Sequence, residues 1–573
     1  MKYDKRKGTL NMTANMTEKA KNEVKEIIMN SLGRLTAEGK LPAEALPPFT
    51  VEQPADSSHG DFSCNAALVS AKTFRKNPRE TASLIAEAAQ LDGTLFERVE
   101  VAGPGFINFF LKPLWFGETV STVLSQGADY GKTELGKGKR VLVEFVSANP
   151  TGPMHIGNAR GGAIGDCLAS LLDYAGYSVE REFYINDAGN QVNKFGLSLD
   201  IRYKQIFGST EEMPEDSYHG QDIIDHAKAF ADKYGDKYMN VSEEERRKAL
   251  VEYALPINIK GLEDDLLKYR IKYDTWFRES SLHESGKVTE IVEMLKAKGV
   301  TYEQDGALWF KATEFGDDQD RVLVRANGVP TYFVPDIAYH YNKLVTRGFD
   351  KAIDILGADH HGYIARMKAA MTALGVDADK LDIVIMQMVR LVRNGETVKL
   401  SKRSGKAITL ATLLDEIPMD AARFFFNLRD PDTHLEFDLD LAVEESSKNP
   451  VFYVQYAHAR ICRLIEKLAE DGVTLGEVPP DKLTFTEEAE FAVIRQLAVL
   501  PDTINEAAKD YNPSKITRYS YELAQLFHKF YDSCKIKGEA DNVVFSRLAL
   551  CTAVKTVIKN MLDMLKVDAP EKM

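Results

Sequence analysis

A chain of 573 residues is too long for one hydrophobic core and predicts three or four domains. Its 44% hydrophobic and 28% charged content is that of a globular protein, with no apolar run of roughly 18 residues to span a membrane and no apolar N-terminal core of a secretory signal. The net charge of −14 argues against indiscriminate nucleic-acid binding but leaves room for a local basic groove; five scattered cysteines give neither a zinc knuckle nor a disulfide framework and fit a cytoplasmic protein.

Residues 1–15 read as a polar, disordered extension, with Met12 and Met16 as alternative starts to Met1. Helical periodicity runs from Lys19 to Leu32, followed by a Pro-rich loop and the apolar stretch at Phe49. His59-Gly60-Asp61-Phe62 leads into a predicted helix from Ser63 to Phe74. Val99–Ala102 and Phe106–Leu111 read as two strands about a Gly-Pro-Gly turn. Residues 16–130 therefore form an α+β domain without a catalytic constellation, in the simplest reading a cap on the domain that follows. Gly131–Gly138 nearly spells a phosphate-binding loop, but Gly138 stands where a Ser or Thr must hold magnesium, and no strand leads into it. Residues 130–140 are read as a linker.

The domain over 131–442 opens with the most informative stretch of the chain. Val141–Val146 is a near-continuous apolar run, as a parallel-sheet strand requires. Ser147 to Pro153 is a Pro/Gly loop, and Pro153 suits the first position of a helix. A helix N-terminus just beyond a strand's carboxyl end is where open α/β sheets bind anions and nucleotides. His155 and Asn158 share one face of that first turn as donors to phosphate. Gly157, Gly161 and Gly165 form a bare stripe that implies close approach by a ligand or a backbone, or else a tightly packed βα unit.

Three further clusters follow predicted strands. Asn186–Gln191 succeeds the strand Glu182–Ile185. Thr331 to Tyr339 is a strand-to-helix turn in which Tyr332 and Asp336 can face one pocket, or serve as a packed ring and a helix cap. Gly357–Tyr363, containing Asp359, His360 and His361, follows the strand Ala352–Leu356; two adjacent histidines are weak grounds for a metal. The stretch between about 196 and 334 reads as a mostly helical insertion. Lys399, Lys402, Arg403 and Lys406 then put four cations into eight residues, with Ser401, Ser404 and Gly405 between them. Such a loop can close over a triphosphate and neutralise departing pyrophosphate, or be a solvated basic turn. Residues 443–573 read as all helical, with segments near 486–508, 515–535 and 541–566. Tyr453, Tyr456, Arg460 and Arg463 mix aromatic planes with cations in a manner suited to unstacked RNA bases, or to an ordinary bundle core.

Taken together these segments resemble a known family. Pro150 to Asn158 is similar to the HIGH motif of class I aminoacyl-tRNA synthetases, and Val398 to Gly405 to that family's KMSKS loop, in the family's order and about 240 residues apart. The His-Gly-Asp-Phe-Ser run, the Gly-Pro-Gly-Phe-Ile-Asn turn, Val454-Gln-Tyr-Ala-His-Ala-Arg460 and the closing Met561–Met573 resemble the arginyl-tRNA synthetases, so that the likeness spans 16–573. It implies a multidomain α/β protein: a Rossmann-like parallel-sheet catalytic domain, an N-terminal α+β domain that contacts the tRNA elbow, and a C-terminal all-α bundle that binds the anticodon.

The activity so implied is ATP-dependent activation of arginine to arginyl-adenylate and transfer to the 3′ end of tRNA(Arg), by a cytoplasmic monomer. Magnesium arrives with ATP, and no structural zinc is expected. His155, Asn158, Lys399 and Lys402 carry the catalysis. ATP is held by Ala148, Pro150, Thr151, Gly152, Pro153, Met154, His155, Ile156, Gly157 and Asn158, together with Lys399, Ser401, Lys402 and Arg403. Arginine is held by Glu144, Ser147, Asn149, Tyr332, Asp336, Asp359 and His360; which of Asp359 and His360 faces its side chain is left open. Tyr453, Tyr456, Arg460 and Arg463 meet the tRNA. Two departures stand out: Asn158 replaces the second histidine of HIGH, and the loop reads Lys-Leu-Ser-Lys-Arg. The rival readings are a class I enzyme of another amino-acid specificity and a non-catalytic tRNA-binding paralogue.

Overall fold

The computed structural model describes residues 15–54, 56–398 and 408–573. The first helix runs Met16–Ala37, longer than its periodicity suggests, because the Asn15 side chain accepts the Glu18 backbone N–H at 3.0 Å and caps it. Strands β1 (Val51–Glu52), β2 (Phe62–Cys64), β3 (Phe96–Ala102) and β4 (Phe106–Leu111) pair antiparallel in the order β1-β2-β4-β3. The helix expected from Ser63 starts instead at Ala66. Phe62 and Cys64 face the core on either side of Ser63, an alternation too brief to announce a strand.

Side-chain hydrogen bonds that leave this N-terminal unit reach the C-terminal region, and the Tyr174 hydroxyl of the middle region donates to the Ala128 carbonyl (2.9 Å). Thr17 Oγ1 donates to the Ala498 carbonyl (3.0 Å), and Lys21 pairs with Asp502 (3.0 Å). Asp61 accepts Arg495 Nε on one oxygen (2.7 Å) and the Leu111 N–H on the other (2.8 Å). The connection that follows is pinned too: the Tyr130 hydroxyl donates to the Leu497 carbonyl (2.8 Å) and Thr133 Oγ1 to Asn505 Oδ1 (2.6 Å). No helix opens at Gly138, so the near-match there is no phosphate loop.

The central sheet is built from β5 (Arg140–Glu144), β6 (Ser178–Ile185) and β7 (Thr275–Arg278). An antiparallel trio follows, β8 (Thr301–Gln304), β9 (Ala307–Phe310) and β10 (Arg321–Val324), and then β11 (Lys351–Gly357) and β12 (Leu381–Met386). The five-stranded sheet has the order β12-β11-β5-β6-β7 with every pair parallel. Strands are added outward in both directions from β5, so the topological switch point lies between the carboxyl ends of β5 and β11. Helices cover 196–268 as expected and enclose a small core of Phe195, Leu199, Phe230 and Leu250. Beyond Lys268 helix continues at Ser280–Glu284 and Lys287–Ala297, and strands take much of the rest. Thr275-Trp-Phe-Arg joins the sheet and Ala307-Leu-Trp-Phe the trio, runs of four residues too short to show a period.

The helix Ile156–Tyr174 packs along β5, and its glycines divide by role. A Cβ on Gly165 would stand 2.2 Å from the Phe145 ring, whereas one on Gly161 would make ordinary contact with Met386 (3.5 Å) and one on Gly157 would meet nothing within 4 Å. Tight packing explains Gly165; only Gly157 is left open. Gly165→Ala is therefore expected to cost about 1–3 kcal/mol through overpacking, read as a lower melting temperature, while Gly157→Ala leaves it unchanged. Equal melting temperatures for the two variants would contradict this division.

A small sheet of β13 (Val389–Arg393), β14 (Glu396–Thr397) and β15 (Leu435–Asp438) completes the middle region. The C-terminal bundle comprises Pro450–Glu470, Glu488–Ala498, Leu500–Lys509, Ser514–Ser533 and Asp541–Leu565. The helix expected over 486–508 is two, broken at Val499 ahead of Pro501. No helix among the described residues is long and apolar enough to cross a membrane.

Candidate active site

At the carboxyl end of β5 the backbone enters the left-handed region at two non-glycine residues, Val146 (φ 69°) and Ser147 (φ 42°). A β-branched residue there is strained, and such strain gathers at functional sites. The turn it enforces lets Ser147 Oγ donate to Glu144 Oε1 (2.8 Å) and accept the Tyr184 N–H (3.1 Å). Ala148 is half-buried, Asn149 exposed, and Pro150, Thr151 and Met154 buried. The helix begins at Ile156 with His155 as its cap, not at Pro153, which stays outside in the exposed turn. His155 is exposed and Asn158 half-buried at the helix mouth, where backbone N–H groups and the helix dipole favour an anion.

This turn is bonded to a distant part of the chain. The Leu410 N–H donates to the Met154 carbonyl (2.9 Å) and the Ile156 N–H to the Ile408 carbonyl (3.2 Å). Residues 408–410 thus abut His155. The predicted Lys399, Ser401, Lys402 and Arg403 immediately precede them in sequence and lie outside the described residues. Arg160, fully buried, anchors the same helix by donating to the carbonyls of Gln387 (2.7 Å), Thr433 (2.9 Å) and Asp430 (3.0 Å). Burial lowers its guanidinium to about 10, with Asp432 opposing.

Beneath the turn runs a charge network that sequence reading does not foresee. Lys343, with no exposed surface, donates to Glu144 Oε2 and, at 2.8 Å, to Asp354 Oδ1, and sits 4.1 Å from the Tyr339 ring centre. His340 joins Asp354 Oδ2 (2.6 Å) to the Asp336 carbonyl (2.8 Å). Burial alone would lower the Lys343 ammonium, but Asp354 and then Glu144 outweigh it and hold it above the usual lysine range. Against the upward push of burial, Lys343 and His340 hold Asp354 well below the ordinary carboxylate range. Glu144 and Lys343 are 199 residues apart, so no local pattern marks this lysine as buried.

Opposite this network stand the residues predicted to read an amino acid. Tyr332 precedes the helix Phe333–Tyr341; its ring lies against Gly189, and its hydroxyl accepts the Asn190 N–H at 3.3 Å. Asp336, one turn on, makes no side-chain hydrogen bond among the described residues. Burial pushes its carboxyl up to about 7; His340 opposes, and the nearby Glu279 and Glu144 add to the rise. Glu279 is itself buried and accepts the Tyr184 hydroxyl (2.9 Å). Glu144 is thus bonded to Ser147 and lies near Asp336, while Tyr332, one turn before Asp336, is exposed against Gly189. Asp187 belongs to the frame instead, taking the Ser280 N–H (2.8 Å) and hydroxyl (2.9 Å). Asp359 and His360 are exposed on the turn after β11, 3.7 Å from each other, with no tie to Asp336.

In the bundle, Tyr453, Tyr456 and Arg460 converge with Phe452, His528 and Asp532 on a cavity of about 300 Å³. Asp532 holds Arg460 (3.0 Å), which lies 3.9 Å above the Tyr531 ring, and Tyr456 stacks on His528 at 5.7 Å. Arg463 is exposed and does not line it.

A strained strand end, a helix mouth at the sheet's switch point and a partner segment folded against it make an arrangement of the class I synthetase type. Comparison with known proteins agrees. Residues 119–462 match the family model described as tRNA synthetases class I (R), catalytic domain; 454–573 match the DALR anticodon binding domain and 22–111 the arginyl tRNA synthetase N terminal domain. The arginine–tRNA ligase of Caldanaerobacter subterraneus subsp. tengcongensis is 55% identical over 560 residues, 98% of this chain and 100% of the relative. That of Acetivibrio thermocellus is 50% identical over 562 residues, again 98% and 100%. The solved arginyl-tRNA synthetase of Thermus thermophilus, 20% identical, shares the fold with a TM-score of 0.73 over 96% of this chain and all of that one. The chain belongs to the arginyl-tRNA synthetase family.

Proposed function

We propose that the protein is an arginine–tRNA ligase. The arginine carboxylate attacks the α-phosphorus of ATP, forming a carboxyl–phosphate bond and releasing pyrophosphate; a 3′-terminal ribose hydroxyl of tRNA(Arg) then attacks the adenylate carbonyl and AMP leaves. His155 and Asn158 donate to phosphate at the helix mouth, with Lys399 and Lys402 supplying cations as pyrophosphate departs. Ala148, Pro150 to Met154, Ile156, Gly157, Ser401 and Arg403 complete the ATP contacts. Asn149, Glu144 and Ser147 take the arginine's amino-acid end. Each Glu144 oxygen already accepts one bond and keeps a lone pair for the ammonium.

The observation that carries the amino-acid reading is Asp336: a carboxylate pushed up by burial, with no donor among the described residues, one helical turn from Tyr332. Guanidinium is planar, permanently charged and best met by a carboxylate in bidentate geometry. Asp359 or His360 completes the arginine pocket from the β11 turn. Magnesium would come with ATP, whose phosphate oxygens supply most of its ligands. The Tyr453, Tyr456 and Arg460 cavity takes an unstacked tRNA base and Arg463 a neighbouring phosphate. The same reading carries a cytoplasmic, monomeric enzyme. Incubation with ATP, a tRNA pool and labelled arginine tests it: label in acid-precipitable tRNA is expected, and label from another amino acid but not from arginine would overturn it.

A pH dependence follows. An unliganded Asp336 near pH 7 must lose its proton to meet guanidinium, so arginine affinity rises with pH up to about 7 and is flat above, falling by up to about tenfold per unit below. Calorimetric titrations in buffers of different ionisation enthalpy should show proton release near pH 6.5. Binding that takes up protons, or is flat across pH 6–8, would contradict the role.

A further inference from the structure

The helical segment between β6 and β7 touches the nucleotide turn at two points that the chemical steps do not use. Asn258 Nδ2 donates to the Pro150 carbonyl (3.0 Å), and its oxygen bonds His226 Nε2 (2.7 Å). The second point is Tyr218, in the loop between the helices Asn190–Ile206 and Gln221–Tyr234. Buried Thr151 donates its hydroxyl to the Tyr218 oxygen (3.1 Å), and the Tyr218 hydroxyl donates onward to Gln191 Oε1. Gln191 adjoins Asn190, whose N–H donates to the Tyr332 hydroxyl. One phenol oxygen thus stands between the nucleotide turn and the backbone that seats the arginine-side tyrosine.

We propose that Tyr218 is a positioning residue that couples the two halves of the site, its hydroxyl fixing Thr151 relative to Gln191 and, through Asn190, Tyr332. The inference rests on the arginine–tRNA ligase reading. A ligand that immobilises one end of this three-residue bridge removes freedom from the other, so the second ligand has less ordering to do; that is positive coupling without direct contact. The simpler role, holding the loop in place, belongs to other parts of the residue. The Tyr218 N–H donates to Ser198 Oγ (2.9 Å), and the ring packs edge-on against Phe195 at 6.3 Å. Both survive Tyr218→Phe, which removes the bridge alone.

The test is calorimetric titration of the full-length protein with arginine, with and without a non-hydrolysable ATP analogue. For the wild type, the analogue is expected to tighten arginine about tenfold, within the usual range of coupling between sites. In Tyr218→Phe this factor should shrink to about twofold or less, while arginine affinity without nucleotide and the melting temperature stay as in the wild type. Gln191→Ala, which cuts the bridge at an exposed residue, should lose the same factor, and the double variant no more than either. A factor retained in Tyr218→Phe, or absent from the wild type, overturns the coupling role, as does a uniform loss of affinity and melting temperature with the factor intact. A wild type that binds no arginine under either condition overturns the ligase reading itself, and the coupling with it.

Discussion

Replacing Asp336 with Asn is expected to lower kcat/KM for arginine in ATP–pyrophosphate exchange by about 10³-fold, with no loss of folded stability. The first part follows from guanidinium chemistry. Removing one partner of a desolvated charge pair costs about 3–5 kcal/mol, because the other charge is left uncompensated, and each 1.36 kcal/mol is tenfold in rate. The second part follows from the sign of the perturbation. Burial raises the folded-state carboxyl to about 7, above its unfolded value of about 3.9, so ionising it above pH 7 costs the folded state. A neutral Asn of the same shape removes that cost, and the melting temperature at pH 8 should equal or exceed that of the wild type. Exchange within tenfold of wild type in Asp336→Asn would remove this residue from the arginine pocket.

Lys343→Met should produce the largest stability defect of any single change near the site. The ammonium is fully buried and serves two carboxylates, Glu144 and Asp354. Met fills much of its volume but leaves both anions facing one another, a loss of about 3–5 kcal/mol. In a multidomain chain this appears as an early transition for the catalytic domain, roughly 10 °C below the wild type. The pH dependence identifies the cause. In the wild type Asp354 is held below its ordinary value, so its contribution is present at neutral pH and lost only in strong acid. Without Lys343 that depression weakens, with His340 alone remaining, and the carboxylates protonate more readily, so the defect should shrink from pH 8 to pH 5. Asp354→Asn in the Lys343→Met background should restore part of the stability at pH 8. A defect of equal size at both pH values would point to lost packing instead.

What the sequence disclosed, and what it concealed, follows from the range of each signal. The strand Val141–Glu144, the Pro/Gly turn and the helix after His155 were legible because apolar runs, prolines and glycines act within a few residues. The helix that follows Thr331 was legible for the same reason. Short strands such as β2 and β7 were not, since three or four residues cannot display a period. The left-handed Val146 has no sequence sign at all; β-branched residues ordinarily avoid that region, and only the surrounding bonds of Ser147 hold it there. Lys343 and Tyr218 carry no local signal, because their partners are brought from far along the chain. The docking of the N-terminal unit through Asp61 and Arg495, 434 residues apart, was hidden likewise.

Arginine-dependent ATP–pyrophosphate exchange, run with and without tRNA(Arg) and with lysine in parallel, tests the central claim most directly. Exchange with arginine and none with lysine is the expected result, because a carboxylate that pairs bidentately with a planar guanidinium, the role proposed for Asp336, is not matched by a point ammonium on a different stem. Exchange supported equally by lysine, or by neither amino acid in folded protein with tRNA present, would contradict it.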